Sequence, residues 1–262
     1  MQKPLLAALL VSTLACVPED PPDFRRSSLK AAATATTTRA PTRRPDAGRK
    51  SAPSKADAAT PPAGELLTAP FRDNFDRAEL GPDWNATSNV WKIRDGALCA
   101  KDARNHPIWL ARRLPVNARI EFDATSSSPD GDLKVEVWGD GRSYATSTSY
   151  SNATSYILVF GGWKNSLHVL ARLDEHKNDR LVIKIDPDSD DPREHPVSEG
   201  QTYRFKIERV DNSTVRWSVD DLELLSFSDR EPLAGPGHEH LGFNDWSVPV
   251  CFDNLIVTPL EQ

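Results

Sequence analysis

Short apolar runs with a two-residue rhythm, each closed by turn residues, recur along this chain and restrict it to β-structure. Tyr156 to Phe160 (YILVF) is bulky at every position, is too short for a stable helix, and stops at Gly161-Gly162. Such a run reads as a strand buried on both faces, and the glycines can supply positive φ for a turn. Beyond them Leu167, Val169, Ala171 and Leu173 alternate with His168, Leu170, Arg172 and Asp174. This stretch predicts a hairpin. Arg119 to Ala124 alternates too, with Ile120, Phe122 and Ala124 on one face. In Leu133 to Trp138, Leu133, Val135 and Val137 face one way and Lys134, Glu136 and Trp138 the other. Asp95-Gly96 is a two-residue hairpin signal. No long amphipathic helix interrupts the pattern. A dozen or so short strands with turn residues between them predict an all-β, two-layer sandwich or a barrel.

The first residues read as an address. Met1 to Pro4 carries one lysine, Leu5 to Val11 is a short apolar run, and Ser-Thr-Leu-Ala leads into Cys16. A basic start, an apolar middle and small residues at the cut form a secretory signal, too short for a permanent membrane span. The cysteine at the cut makes residues 1–16 resemble a bacterial lipoprotein signal, although Thr13 stands where that box usually has a larger aliphatic residue. The resemblance implies lipidation at Cys16 and an exported protein held at the cell envelope, periplasmic or surface-exposed, with the anchor as its only membrane contact. Residues 17–65 are rich in Pro, Ala, Thr, Ser and Arg without an apolar period. Such a segment cannot bury enough surface to offset ordering entropy and reads as a disordered linker. The domain is then residues 66–262.

Charge is uneven across these parts. Residues 17–65 hold nine Lys/Arg and six Asp/Glu, whereas residues 66–262 hold 22 and 32, a net −10. An acidic domain excludes nucleic acid as the expected partner, because neutralising phosphates needs a basic surface. Export makes Cys99 and Cys251 a natural disulfide pair. Closing a loop of that length contributes about 4–5 kcal/mol in the entropic account. The alternative is two separate buried thiols.

Several pieces together are similar to the concanavalin A-like lectin/glucanase superfamily. They are Phe71–Phe75 with Trp84, Trp91-Lys-Ile-Arg-Asp-Gly96-Ala-Leu98, Leu241-Gly-Phe243, and Phe252-Asp253-Asn254-Leu255-Ile256-Val257. The likeness spans about residues 68–260 and is greatest to jelly rolls of the keto-disaccharide hydrolase-like and laminin G-like groups. It implies two stacked, curved antiparallel sheets, with sugars bound on the concave sheet or its rim loops. It does not imply a reaction. The glucanases of this fold carry Glu-x-Asp-x-x-Glu on one strand; here Glu121-Phe-Asp123 is followed by Ser126 in the third position.

The candidate residues follow from this expectation. Trp138 is a stacking platform for a sugar ring, with Arg172 and Asp174 as hydroxyl partners and Trp246 at the rim beside Asn244 and Asp245. Trp163 and His106 are further rim candidates. Glu136, Glu175 and His176 are the acid–base candidates, since carboxylates and an imidazole that converge suffice for proton transfer. No resident cofactor is expected. A structural calcium at Asp253 is implied by the resemblance, whereas Asp186, Asp188, Asp190 and Asp191 read as a solvated loop lacking the calcium-loop glycine and glutamate. The expected function is an exported, lipid-anchored protein that binds a polysaccharide or oligosaccharide. The alternatives are a glycoside hydrolase or polysaccharide lyase acting on the concave sheet, and a structural or adhesive envelope protein.

Overall fold

The computed structural model describes residues 64–261. The signal segment, Cys16 and residues 17–63 of the predicted linker lie outside the described residues. The Gly64 carbonyl accepts a hydrogen bond from Arg113 Nε at 2.8 Å.

Fifteen strands follow: β1 (Phe71–Asp73), β2 (Trp84–Ala86), β3 (Lys92–Arg94), β4 (Ala97–Ala100), β5 (Ile108–Leu110), β6 (Ala118–Ser126), β7 (Leu133–Gly139), β8 (Tyr156–Gly161), β9 (Leu167–Arg172), β10 (Leu181–Lys184), β11 (Thr202–Arg209), β12 (Thr214–Val219), β13 (Leu222–Ser228), β14 (His240–Asn244) and β15 (Val250–Pro259). They form two antiparallel sheets. One runs β13-β12-β11-β6-β15-β4-β3, with β1 also paired to β15; the other runs β10-β9-β8-β7-β14-β5-β2. The strand pairs are antiparallel throughout, and distant segments meet: β15 near the C-terminus lies between β6 and β4.

The two-residue rhythm places the core between the sheets. In β6, Ile120, Phe122 and Ala124 point inward while Arg119, Glu121 and Asp123 are exposed or half-buried. Phe122 stacks on Phe205 from β11 at 4.9 Å, and Phe243 from β14 stacks on Phe252 from β15 at 4.3 Å. Offset aromatic pairs of this kind add about 0.5–1.5 kcal/mol each to the area they bury. Asp95 and Gly96 turn β3 into β4 with φ of 49° and 78°, as a two-residue hairpin requires. Cys99 and Cys251 face each other across β4 and β15 and form a disulfide.

The central hairpin is β8 and β9, with Tyr156 opposite Arg172. Strand β8 is buried at every residue. Tyr156, Leu158 and Phe160 enter the main core. Ile157 and Val159 face the other way, into a second apolar cluster with Val169 and Ala171 of β9 and Ala145, Tyr150 and Ala153. Residues 140–155 therefore lie over the outer face of this sheet. The turn departs from the glycine pair that the sequence suggests. Gly161 has φ of 75°, but Gly162 does not take positive φ; Trp163, Lys164 and Asn165 do, at 52°, 58° and 58°. Three successive non-glycine residues in the left-handed region cost on the order of 1–2 kcal/mol each.

Candidate functional site

On the outer face of the second sheet, at the end of β7, several loops enclose a cavity of about 330 Å³. Its floor is polar and its walls carry two indoles.

The floor starts with β7. Leu133, Val135 and Val137 point into the core, so Lys134 and Glu136 point outward, on the side where their strand partners Val159 and Ile157 meet the covering segment. Both charged side chains are consequently buried, at 1% and 0% exposure. Lys134 Nζ donates to Asn105 Oδ1 at 2.8 Å and to Glu175 Oε1 at 2.9 Å. Burial works against the ammonium, but the charges of Glu175 and Asp132 outweigh it and hold Lys134 above the usual lysine range. Asp132 precedes β7 with φ of 66°, and its Oδ2 accepts from the Trp246 backbone N–H at 3.1 Å. Burial raises the Asp132 pKa, with Lys134 opposing and Glu175 adding to the rise. Asp245 stands behind it, accepting from the backbone N–H groups of Ala103 and Val248. Burial, then the Asp132 charge, push Asp245 up to about 7.

Glu136 does not line the cavity. It is sealed beneath the covering segment, accepting from Ser155 Oγ at 2.6 Å, Tyr150 Oη at 3.0 Å and Asn244 Nδ2 at 2.7 Å. These bonds favour its ionised form, yet burial dominates and raises it to about 7.

The walls are Trp163 and Trp246. Trp163 is presented by the left-handed turn. Asn165 holds that turn: its side chain donates to the carbonyls of Pro129 and Val197 and accepts from the Val197 N–H. Space leaves no alternative to glycine beside it. A Cβ on Gly131 would lie 2.6 Å from the Gly161 carbonyl oxygen, and one on Gly161 would lie 2.5 Å from Val197 Cγ2. Strained backbone held by many partners is a mark of functional sites. The Arg180 guanidinium lies 4.8 Å from the Trp163 ring, and Arg104 lies 4.8 Å from that of Trp246. These cation–π contacts fix the orientation of both indoles.

The structure brings together Glu175, His176, Trp163 and Trp246 among the residues singled out from the sequence. His176 is exposed and meets the Trp163 ring edge-on at 5.7 Å. Asp174 lies off the strand, because Leu173 at φ 65° turns the chain, and it accepts from the His176 N–H at 2.9 Å. His106 stacks on Tyr144 at 4.8 Å and does not line the cavity.

Two expectations are corrected. Trp138 offers no face to a ligand: it is 0% exposed, donates to the Pro115 carbonyl at 3.1 Å and packs edge-on against Tyr156. The cause is a β-bulge. Gly139 pairs with His240 and Glu136 with Gly242, so Val137 and Trp138 together oppose Leu241, and Trp138 at φ 54° turns into the core. Arg172 is tied elsewhere, to Asp229 Oδ2 at 2.7 Å and the Glu231 carbonyl at 2.8 Å.

Asp253 lies opposite Asp123 on β15, and its Oδ1 accepts from the Asn254 N–H at 2.6 Å. Burial raises its pKa, and the charges of Asp123, Asp76 and Asp73 add to the rise. Among the described residues no group of three or more His, Cys, Asp or Glu side chains is arranged to hold a metal ion. Sequence reasoning missed Asn105, Asp132 and Lys134. The one signal available was a lysine and a glutamate alternating within an otherwise apolar strand.

No protein-family model and no curated protein matches the chain. Solved structures do. One comes from prominent members of the human gut microbiota and is described with endo-acting O-glycanases that initiate mucin breakdown. It is 13% identical, covers 73% of this chain and 99% of that one, and has a TM-score of 0.50. The fold is the concanavalin A-like jelly roll. Another solved structure, the carbohydrate-binding module CBM66 from Bacillus subtilis, is 14% identical over 67% of this chain and 95% of that one, with a TM-score of 0.49. The first likeness concerns the architecture alone, and at these identities neither carries residue roles.

Proposed function

We propose that this protein is an exported, lipid-anchored carbohydrate-binding jelly roll that takes a polysaccharide or oligosaccharide through the cavity at the end of β7. One observation carries the reading: two indoles, Trp163 and Trp246, wall a cavity whose floor is the buried polar set Asn105, Asp132, Lys134 and Glu175. Indole faces suit the apolar C–H faces of a sugar ring, while fixed donors and acceptors suit its hydroxyls. A volume of about 330 Å³ lies within the usual range for small-ligand sites. The mucin-directed glycanase structure of similar architecture supports a glycan as the ligand class. The Cys99–Cys251 disulfide suits an oxidising compartment outside the cytoplasm, and Cys16 is the proposed point of attachment to the membrane.

A second reading, cleavage of the glycan, is favoured by Glu175 and His176 lining the same cavity beside Lys134. Glu136 has no part in it as a group that touches substrate. Residues 17–262, incubated with a panel of plant, algal, animal and bacterial polysaccharides, separate the readings when both retention and released chain ends are measured. Retention without release, lost in Trp246→Ala, supports binding. Release that stops in Glu175→Gln supports cleavage. Neither retention nor release across the panel overturns both.

A further inference from the structure

Resting on the carbohydrate reading, the balance of donors and acceptors in the cavity floor narrows the class of sugar. Among the described residues Lys134 is the floor's one cation, and an ammonium has three N–H donors. Two of them are used on Asn105 and Glu175. Its charge is matched by Glu175, which is itself only 5% exposed. Asp132 is left over. It is 8% exposed and lines the cavity. Its Oδ2 takes the Trp246 N–H at 3.1 Å, while its Oδ1 takes no hydrogen bond from any described residue. Asp245 stands behind it with both oxygens already filled by backbone N–H groups, so it offers a ligand no acceptor. Asp130 adds negative charge at the lining.

The remaining basic side chains are placed differently. Lys164 and His176 line the cavity from the turn and from the end of the β9 segment, and both are exposed. Arg104 and Arg180 lie against the indoles and do not line the cavity. A ligand carboxylate entering the floor would meet Asp132 and Asp130 and would find two free donors, one N–H each on Lys134 and on the Asn105 amide. An N-acetyl group would bring one N–H, a further acceptor and a methyl, and no positive charge to set against Asp132. A protonated amine brings three donors and the missing positive charge, and charge-assisted bonds of this kind are about twice as strong as neutral ones.

We propose that the cavity selects a saccharide bearing a free primary amine, a de-N-acetylated hexosamine residue, whose ammonium is held by Asp132. The indoles then stack on the ring, and Lys134 and Glu175 hold a neighbouring hydroxyl.

The test is calorimetric titration of residues 17–262 at pH 6 and physiological salt with four oligosaccharides of one length: glucosamine, N-acetylglucosamine, glucose and uronic acid. The amine-bearing oligosaccharide is expected to bind at least tenfold more tightly than the other three. Asp132→Asn is expected to erase that preference, and Asp221→Asn, which removes an exposed charge on the β12–β13 turn, to keep it. Because the chain carries a net charge of −6, equal loss of preference in both variants would mean general attraction to an acidic protein and overturn the inference. Tighter binding of a neutral, acetylated or acidic oligosaccharide would overturn it while leaving the carbohydrate reading intact. No binding by any saccharide, here or in the polysaccharide panel, would overturn both. The wild-type ranking decides on its own if Asp132→Asn does not fold.

Discussion

Lys134 and Glu175 lie 41 residues apart in the chain and meet at 2.9 Å in the cavity floor, with 1% and 7% of their side chains exposed. Removing one partner of a buried pair leaves the other charge uncompensated, which costs about 3–5 kcal/mol, whereas replacing both by apolar groups is often near neutral. Lys134→Met is therefore expected to lower unfolding free energy by about 3–5 kcal/mol, and Lys134→Met combined with Glu175→Leu to recover at least half of that. Urea unfolding of the two variants checks it. A near-neutral single variant would contradict a dry, paired floor.

Glu136 gives stability a specific pH dependence. Its folded pKa is about 7 against an ordinary value of 4.5. A carboxyl whose folded pKa is raised favours the folded state when protonated. That contribution is complete below pH 4.5, declines as pH rises from 4.5 to 7, and is constant above 7. A tenfold change in proton affinity corresponds to about 1.4 kcal/mol, so the loss is on the order of 3 kcal/mol. Glu136→Gln is expected to flatten the unfolding free energy between pH 4.5 and 7 relative to wild type. An unchanged slope in urea titrations across that range would show that Glu136 is not buried as described.

His168 acts in the opposite sense. Its Nδ1 accepts from the Gly161 N–H at 3.0 Å, so the proton of the neutral ring is on Nε2, facing the His195 carbonyl at 3.1 Å. Burial lowers its pKa to about 4. The stability it contributes is complete above pH 6.5 and is lost as pH falls towards 4. In ¹⁵N NMR the ring of His168 is expected to stay neutral down to about pH 4; a midpoint near 6.5 would refute the bond to Gly161.

The tryptophans divide by role. Trp163→Ala and Trp246→Ala are expected to weaken saccharide binding by about fivefold or more, since ring stacking contributes on the order of 1 kcal/mol, and to leave the melting temperature within a few degrees. Trp138→Ala removes a wholly buried ring and is expected to cost about 3–5 kcal/mol of stability. Calorimetric binding and thermal unfolding of the three variants, measured side by side, show whether the division holds.

The disulfide closes a loop of 152 residues. The entropic account assigns such a loop about 5 kcal/mol. Replacing Cys99 and Cys251 together by serine is expected to lower the denaturant midpoint by the corresponding amount with an unchanged fold by circular dichroism. A shift below about 1 kcal/mol would mean that the denatured chain is already compact.

How far each feature could be read depended on the range of the interaction behind it. Alternation in Arg119–Ala124 and Leu133–Val137 is local, so the strands, their inward faces and the two-layer architecture were legible. So was the hairpin of β8 and β9, because turn chemistry and apolar runs sit within about twenty residues. The cysteine pair was legible as an expectation, and β4 and β15 placed the two residues opposite each other. Trp246, as a loop aromatic, and Glu175, as a carboxylate at the end of the second hairpin strand, were singled out by residue type, and both line the cavity. Trp138 was misread because the bulge that turns it inward exists only where β14 pairs with β7. Arg172 was misread because its partner, Asp229, lies 57 residues away.

By itself the sequence determined period, turn chemistry and the separation of an acidic all-β domain from the basic segment before it, all of which act between near neighbours or through composition. The tertiary structure alone decided what becomes of the polar face of β7. Lys134 and Glu136 carry the pattern of a solvated strand face. They are buried because residues 140–155 fold over that face and bring Tyr150 and Ser155 onto Glu136, while Asn105 and Glu175 close on Lys134. Charges without water must find partners. The partners they found, drawn from several distant loops, are the floor of the cavity.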